Sequence, residues 1–188
     1  MDTPTRLLDQ ALELFAARGY DAVGVQEIVV SSEVTKPTLY HHFGNKQGVF
    51  EAVISRDANP LLGQLKEATV YRSDLPRNLH HVVDTYLRFA TGQPNFYRLL
   101  TSCYLAPPES EPYRIAKPVH EKQHALVEAM FEHASFDHGN MRGRARRYAH
   151  SFIGLINTYL MLVLAGEVEV GDQLKYDIVH QFSYGIYT

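Results

Sequence analysis

The chain has 188 residues, of which 45% are apolar and 11% aromatic, with 18 basic and 21 acidic side chains. This composition excludes a disordered chain, and the length suits one domain or a small module joined to a larger one. A net charge of -3 excludes a surface that is basic throughout, although it allows a local basic site. Because Cys103 is the sole cysteine, no intrachain disulfide can form, and a cytoplasmic location is expected. Asp9 and Glu13 interrupt the first 18 residues, which is unlike a signal peptide.

Helical signals dominate the chain. Thr3 as N-cap and Gly19 as C-cap bound the first predicted helix, a second begins near Val25, and a short third helix carries Pro37 in its first turn and ends at Gly44. Longer helices are predicted at 46–69, with a bend at Pro60, and at 75–91, 94–105, 112–134, 142–166 and 172–185. Since no alternating apolar run is long enough for a sheet, the predicted fold class is all-α.

Residues 25–43 have the spacing of a helix-turn-helix. Ile28, Val34 and Leu39 would lock the two helices together, and the short second helix would present polar side chains outward. The outward side chains are all donors suited to phosphates and base edges, with no carboxylate among them: Thr35, Lys36, Thr38, Tyr40, His41 and His42. Spacing alone fits an ordinary helical hairpin with a solvated polar face equally well.

A resemblance to a known family decides between these two interpretations. Gly19-Tyr20, Ile28, the run Val34–Phe43 and the segment Lys46–Phe50 resemble the amino-terminal signature of the TetR family of transcriptional regulators. The resemblance implies a three-helix helix-turn-helix DNA-binding domain at 1–50 and a helical ligand-binding and dimerisation domain at 51–188. It further implies a non-enzymatic homodimer without a cofactor that binds double-stranded DNA and a small-molecule effector.

The resemblance also implies which residues contact DNA: Thr35, Lys36, Pro37, Thr38, Tyr40, His41, His42 and Lys46. Lys46 would meet a phosphate from the start of the fourth helix, where a helix amino terminus already favours an anion. For His42, packing against the module is as good an interpretation as DNA contact.

The chain departs from the family pattern at three places. Val23-Gly24 replaces the usual Thr or Ser at the start of the second helix, Val29 replaces Ala, and Glu33 replaces Gly in the turn. Val29 would push the two helices slightly apart, and Glu33 would place a negative charge near the duplex. With a local charge balance of -2 over residues 1–50, DNA affinity should be modest and strongly salt-sensitive.

A short recognition helix reads few bases, so specificity requires two half-sites. The interpretation is a repressor that binds a palindromic operator, with half-site centres about 34–36 Å apart or a multiple of that, and that its effector releases. The proposed effector contacts are aromatic and polar residues at inward helical positions: Tyr86, Phe89, Tyr97, Tyr104, His124, Phe152 and Asn157. This composition favours an aromatic or amphipathic effector.

The stretch 148–165 has no formal charge and approaches the length of a membrane span. His150 and Asn157 are costly in lipid, so the preferred interpretation is a helix buried on both sides. The last two helices, 142–166 and 172–185, are therefore predicted to pair with their symmetry mates as a four-helix bundle in a homodimer, with no membrane contact. The arginines at 142–147 fit a solvated helix start paired with Glu128 and Glu132.

His120-Glu121-Lys122-Gln123-His124 matches the His-Glu-x-x-His pattern of zinc proteases. The extended pattern fails, because Val127 and Met130 stand at its Gly and third His. Two ordinary helix histidines and no metal site are expected. A metal sensor or metal-dependent hydrolase using His120 and His124 is the alternative, and a dimeric ligand-binding protein without DNA affinity is a further one.

Overall fold

The computed structural model describes residues 2–186, and over that range the chain is helical without strands. Helices α1 to α4 are Thr3–Arg18, Val25–Ser31, Lys36–Phe43 and Lys46–Ala68. Helices α5 to α7 are Leu75–Gly92, Pro94–Tyr104 and Glu111–Asp137. After a 3-10 turn at Gly139–Met141, α8 and α9 are Ala145–Ala165 and Asp172–Tyr184. The all-α prediction is confirmed.

The helix ends follow local capping signals, with two corrections. The N-cap of α1 is Asp2 and not Thr3, because the Asp2 carboxylate accepts the N–H of Thr5 at 3.0 Å. Helix α8 begins at Ala145, later than predicted, because Gly143 has φ +71 and interrupts the helical backbone.

The chain forms two compact units. Of the described residues, the first unit contains 2–59 together with Gln93–His120, and the second contains Pro60–Gly92 and 121–186. Helices α4 and α7 each contribute residues to both units. The domain boundary predicted at residue 50 lies inside the first unit, within α4.

In the first unit α1 packs on both α2 and α6. An aromatic cluster forms its centre: the rings of Phe15 and Phe50 meet edge to face at 5.1 Å, and Tyr20 lies 4.8 Å from Phe50. At the edge of the α1–α6 contact, the Asn95 amide donates to the Glu13 carboxylate at 2.9 Å. Helix α6 and the start of α7 are therefore part of the same body as the helix-turn-helix.

In the second unit α5 packs on α8 and α9, which also pack on each other. Tyr86, Phe131 and Phe152 are fully buried in this core. The Tyr86 hydroxyl donates to Gln123 Oε1 at 2.9 Å, which gives both of these buried oxygens a hydrogen-bond partner. On one side, Lys175 pairs with Asp84 at 2.7 Å and ties α9 to α5.

Helix α8 is long and apolar enough to cross a membrane by length and composition, with a mean hydropathy of 1.4 over its most apolar window. Only 28% of that window is buried within the chain. The prediction that both sides are buried therefore requires a partner, which the single chain does not supply.

Candidate functional site

Apolar side chains lock α2 and α3 together. Ile28 and Leu39 are fully buried, as the spacing predicts, whereas Val34 is half-buried. Val29 is also buried, and its carbonyl accepts the N–H of Val34 at 3.0 Å across the turn. The larger side chain at position 29 is thus accommodated while the hydrogen bond that closes the turn is kept.

The turn between α2 and α3 holds Glu33 in a left-handed conformation, with φ +53. Its exposed side chain follows Ser32, whose buried hydroxyl donates to the carbonyl of Ile28 at 2.5 Å. A residue with a Cβ pays a steric cost in this conformation that glycine does not. Glu33 in place of the family's glycine therefore adds both a negative charge and backbone strain to the turn.

Helix α3 presents its polar face to solvent. Thr35 is the N-cap, since its Oγ1 lies 3.4 Å from the N–H of Thr38 and 2.9 Å from the Thr38 hydroxyl. Tyr40 is 48% exposed even though Leu39 beside it is fully buried. The other predicted DNA contacts on α3 and its cap are exposed, apart from the half-buried Thr38: Thr35, Lys36, Pro37, His41 and His42. The rings of His41 and His42 lie 5.2 Å apart.

Lys46 lies at the start of α4 with its ammonium 4.1 Å from the centre of the Tyr20 ring. The same ammonium donates to the Tyr20 carbonyl at 3.1 Å. Lys46 is half-buried, so the phosphate contact implied for it would be made from this position beside Tyr20. Lys36 is the one Lys or Arg within α3 and is exposed.

A contact that the sequence did not indicate links Tyr20 to α7. The Tyr20 hydroxyl donates to the carboxylate of Glu111, the first residue of that helix. Burial, followed by the Glu111 carboxylate, raises the pKa of Tyr20 above its ordinary value, so the hydroxyl keeps its proton at neutral pH. Together with Lys46, this contact fixes the start of α4 and the end of α1 against α7 within the first unit.

Gly48 is a second feature that the sequence motifs do not single out. A Cβ there would lie 1.9 Å from the carbonyl oxygen of Phe43, the last residue of α3. The N–H of Gly48 is also accepted by Asn45 Oδ1 at 2.8 Å, which caps α4. The close approach of α4 to the end of α3 therefore depends on glycine. The sequence feature that could have indicated this approach is a glycine in the first turn of the helix, two residues after Lys46.

A family model described as bacterial regulatory proteins, tetR family, matches residues 7–53, which include the helix-turn-helix of α2 and α3. The transcriptional activator FasR of Mycolicibacterium smegmatis is 32% identical over 152 residues, which cover 80% of this chain and 66% of FasR. The chain belongs to the TetR family.

Solved structures have the same fold. The regulator FadR of Bacillus subtilis, in complex with stearoyl-CoA, is similar with a TM-score of 0.79 and 16% identity over 97% of this chain and 99% of FadR. The regulator MbdR of Azoarcus sp. CIB is similar with a TM-score of 0.80 and 14% identity over 100% of each chain. The predicted architecture, a helix-turn-helix followed by a helical body, is confirmed.

In this TetR-family protein the seven predicted effector contacts are divided between the two units. Tyr97 and Tyr104 belong to the first unit, whereas the other five belong to the second: Tyr86, Phe89, His124, Phe152 and Asn157. Tyr86, Phe89, Tyr97 and Phe152 are buried in the cores of their units, and Tyr104 is exposed. Their role in effector binding stays a prediction.

The second unit has a cavity of about 620 Å³. It lies among the start of α5, the end of α7, the start of α8 and the end of α9, and its walls include Leu79, Phe131, Tyr148 and Phe182. None of the seven predicted effector contacts is in its walls. The sequence contains only a weak indication of this cavity, because inward aromatic residues on α7 and α8 are equally expected in a closely packed core and in a cavity wall.

The two histidines of the His-Glu-x-x-His segment are engaged in different units. In the first unit, a ring nitrogen of His120 lies 3.1 Å from the carbonyl oxygen of Leu100, and its ring packs on Tyr104. In the second unit, the ring of His124 stacks on His150 at 4.0 Å. Over residues 2–186, no group of three or more His, Cys, Asp or Glu side chains is placed to hold a metal ion.

Cys103 is buried in the first unit, and burial raises the pKa of its thiol to about 11. A thiol with this pKa is almost entirely protonated at neutral pH. Cys103 is accordingly a core residue and not an activated nucleophile.

Proposed function

We propose that this protein is a DNA-binding transcriptional repressor that acts in the cytoplasm. It binds a palindromic operator as a homodimer and is released by a small-molecule effector. The observation that carries the proposal is the exposed face of α3, which offers hydroxyl, imidazole and ammonium donors and no carboxylate. Family membership supports the same assignment.

Each recognition helix is short, so two are needed to read a specific site. Helix α3 has eight residues, and its polar face reaches only a few base pairs. A two-fold dimer presents two such helices, and the operator then has half-site centres about 34–36 Å apart or a multiple of that distance.

The proposed dimer forms through α8 and α9. Most of the apolar window of α8 is not buried within the chain, and Met161 is exposed on it. Tyr176 and Tyr184 are exposed on α9. Exposed apolar side chains on two helices that pack on each other are typical of a surface that a subunit interface buries.

The effector would act by weakening operator binding. We propose that it shifts α4, residues 46–68, and so changes the separation of the two recognition helices, with a coupling of about 1–3 kcal/mol. That FadR of Bacillus subtilis was solved with stearoyl-CoA supports an amphipathic effector. FasR is named an activator, so the sign of regulation has to be measured for this protein.

The test is selection of an operator from random duplexes, followed by affinity measurements at several salt concentrations. In Lys36→Ala, loss of one phosphate contact per subunit lowers the salt-dependence slope by about 1.8 per dimer. Tyr40→Phe weakens binding through loss of the hydroxyl. Lys66→Ala removes an exposed charge near the other end of α4 and leaves the slope unchanged.

Two further measurements complete the test. A reporter under the selected operator distinguishes repression from activation by the direction of its change. Sedimentation separates the homodimer from a monomer, and Met161→Arg should shift the equilibrium toward monomer. The proposal fails if no palindrome is enriched, or if Lys36→Ala and Lys66→Ala behave alike.

A further inference from the structure

We propose that the cavity in the second unit binds the hydrocarbon chain of an amphipathic anion. The acidic head group of this anion would lie against four arginines in the segment that joins two residues of the cavity wall: Arg142, Arg144, Arg146 and Arg147. That this molecule is the effector rests on the function proposed above, whereas the binding site itself does not.

The interior of the cavity suits a hydrocarbon chain. Its volume of about 620 Å³ lies within the range of about 300–1,000 Å³ for small-molecule sites. Leu75, Leu79 and Met141 line it beside aromatic rings of the α7–α9 cluster, in which Phe131 and Phe182 lie 5.8 Å apart. Among its lining residues, all of which are described, none carries a formal charge. A charged group placed among them would have no ionic partner in the wall.

The arginines occupy the chain between two residues of the cavity wall. Met141 and Tyr148 both line the cavity, and the four arginines lie in the segment 142–147 that connects them. All four are exposed. Four cations between two wall residues bring positive charge near an uncharged lining, which is the arrangement that an amphipathic anion requires.

These arginines are available to a ligand. Within residues 2–186, none of the four guanidinium groups forms an ion pair or a hydrogen bond, and the expected pairs with Glu128 and Glu132 do not form. The acidic residue of the segment 137–147 is Asp137, whose carboxylate accepts the Tyr71 hydroxyl at 2.8 Å. Four arginines against one aspartate give the segment a net charge of +3 with His138 neutral. Such a segment attracts anions, and guanidinium groups pair well with phosphate.

Polar groups in the wall suit the linkage between head and tail. Asn140 and Ser151 line the cavity next to the arginine segment, and Gln181 lines it from α9. Gln181 Oε1 accepts the Tyr159 hydroxyl at 2.6 Å, so its amide nitrogen is the group that can donate to a ligand carbonyl. An acyl chain joined through a carbonyl to a phosphate-bearing head matches this order of groups.

The experiment measures binding to the full chain by calorimetry, without DNA. The probes are saturated acyl-CoAs of increasing chain length, coenzyme A alone, and vesicles containing phosphatidylglycerol. We expect affinity for acyl-CoA to rise about four-fold for each added methylene until the cavity is full. Coenzyme A alone should bind at least ten-fold more weakly than the best acyl-CoA.

Two variants test the two halves of the site. Arg142→Ala/Arg144→Ala should weaken binding of every acyl-CoA about ten-fold, whereas the control Arg114→Ala/Lys122→Ala removes two exposed charges elsewhere and should have no effect. Ser151→Trp should end the rise in affinity at a shorter chain, and Leu155→Trp serves the same purpose if the first variant does not fold. Thr158→Trp, on the same helix outside the cavity wall, is the control.

The proposal is overturned if the arginine and control variants bind equally, or if the chain-length dependence is the same in the cavity variants and in Thr158→Trp. Binding to the vesicles without binding to dispersed acyl-CoA would also overturn it, since the arginines would then serve a membrane surface. Because these binding measurements contain no DNA, a negative result would not bear on operator binding. Conversely, failure to select an operator would not bear on the ligand site.

Discussion

Replacing Glu33 separates two costs that this residue imposes on the proposed DNA-binding site. Its left-handed backbone, with φ +53, costs about 1–2 kcal/mol for a residue with a Cβ. Glycine removes this cost but increases the freedom of the unfolded chain by about 0.5–1 kcal/mol. Glu33→Gly should therefore raise the free energy of unfolding by up to about 1.5 kcal/mol, and by about 0.75 kcal/mol at the middle of the two ranges. For a chain of this size, each kcal/mol corresponds to about 2–4 °C in Tm.

The carboxylate imposes the second cost, because it is exposed in the turn just before the recognition helix. An exposed charge interaction is worth about 0.2–1 kcal/mol, and a dimer has two copies of Glu33, so its removal should tighten operator binding about 2- to 30-fold at low salt. The gain should shrink as salt is raised, because the repulsion between Glu33 and phosphate is screened.

Glu33→Gln is the matched control, since it removes the charge and keeps the Cβ. We expect both variants to bind the operator more tightly by the same factor, whereas only Glu33→Gly should unfold at a higher temperature. Thermal melts followed by circular dichroism and fluorescence anisotropy with a labelled operator measure the two effects. Equal Tm values for the two variants would refute the strain argument, and unchanged operator affinity in both would refute the charge argument.

Three other predictions concern the first unit. Gly48→Ala should lower the free energy of unfolding by about 1–3 kcal/mol, because the new Cβ would meet the Phe43 carbonyl. The control Gly63→Ala, whose Cβ would enter open space on α4, should raise it by about 1 kcal/mol. Thermal melts in which Gly48→Ala is as stable as Gly63→Ala would contradict the close approach of α4 to α3. Tyr20→Phe should lower the free energy of unfolding, measured by chemical denaturation, by about 1 kcal/mol, and by less when Glu111→Gln is also present, because the two side chains share a hydrogen bond. A double-mutant cycle without coupling would mean that this hydrogen bond contributes nothing. Burial lowers the pKa of His120 below its ordinary value of 6.5, and the hydrogen bond to Leu100 opposes this shift only in part. Because the unfolded chain then takes up the proton more readily than the folded one, the free energy of unfolding should fall as the pH drops below about 6.5. In thermal melts the fall should be smaller for His120→Asn, and an identical pH profile for the two proteins would contradict this prediction.

The helix-turn-helix could be predicted because its signals are local. Gly19 has the positive φ that its place at the end of α1 requires, and Thr35 and Pro37 mark the start of α3 as their residue types predict. Ile28 and Leu39 are both buried, at the positions where helix-turn-helix spacing puts the residues that hold its two helices together. Residues that define an element from within a few positions along the chain leave a clear pattern in the sequence.

The remaining features depend on contacts distant in sequence. Tyr20 and Glu111 are separated by 91 residues, and no pattern in either segment indicates the pair. Helical periodicity indicated that Tyr86 and Tyr97 are buried, but it could not assign them to different units, because that depends on how the helices pack. The cavity escaped prediction for the same reason, since Phe131 and Tyr148 have the same inward spacing whether or not a space remains between them.

Because α6 and the beginning of α7 pack with the helix-turn-helix, chimeric sensors built from this protein would need several junctions. A transferred DNA-binding segment that ends at residue 50 would lack α6, on which α1 packs, and Glu111, which accepts the hydrogen bond of Tyr20. Its apolar surface would then meet water, and the fusion would be prone to aggregate. Junctions after residues 59, 92 and 120 would move the whole body intact.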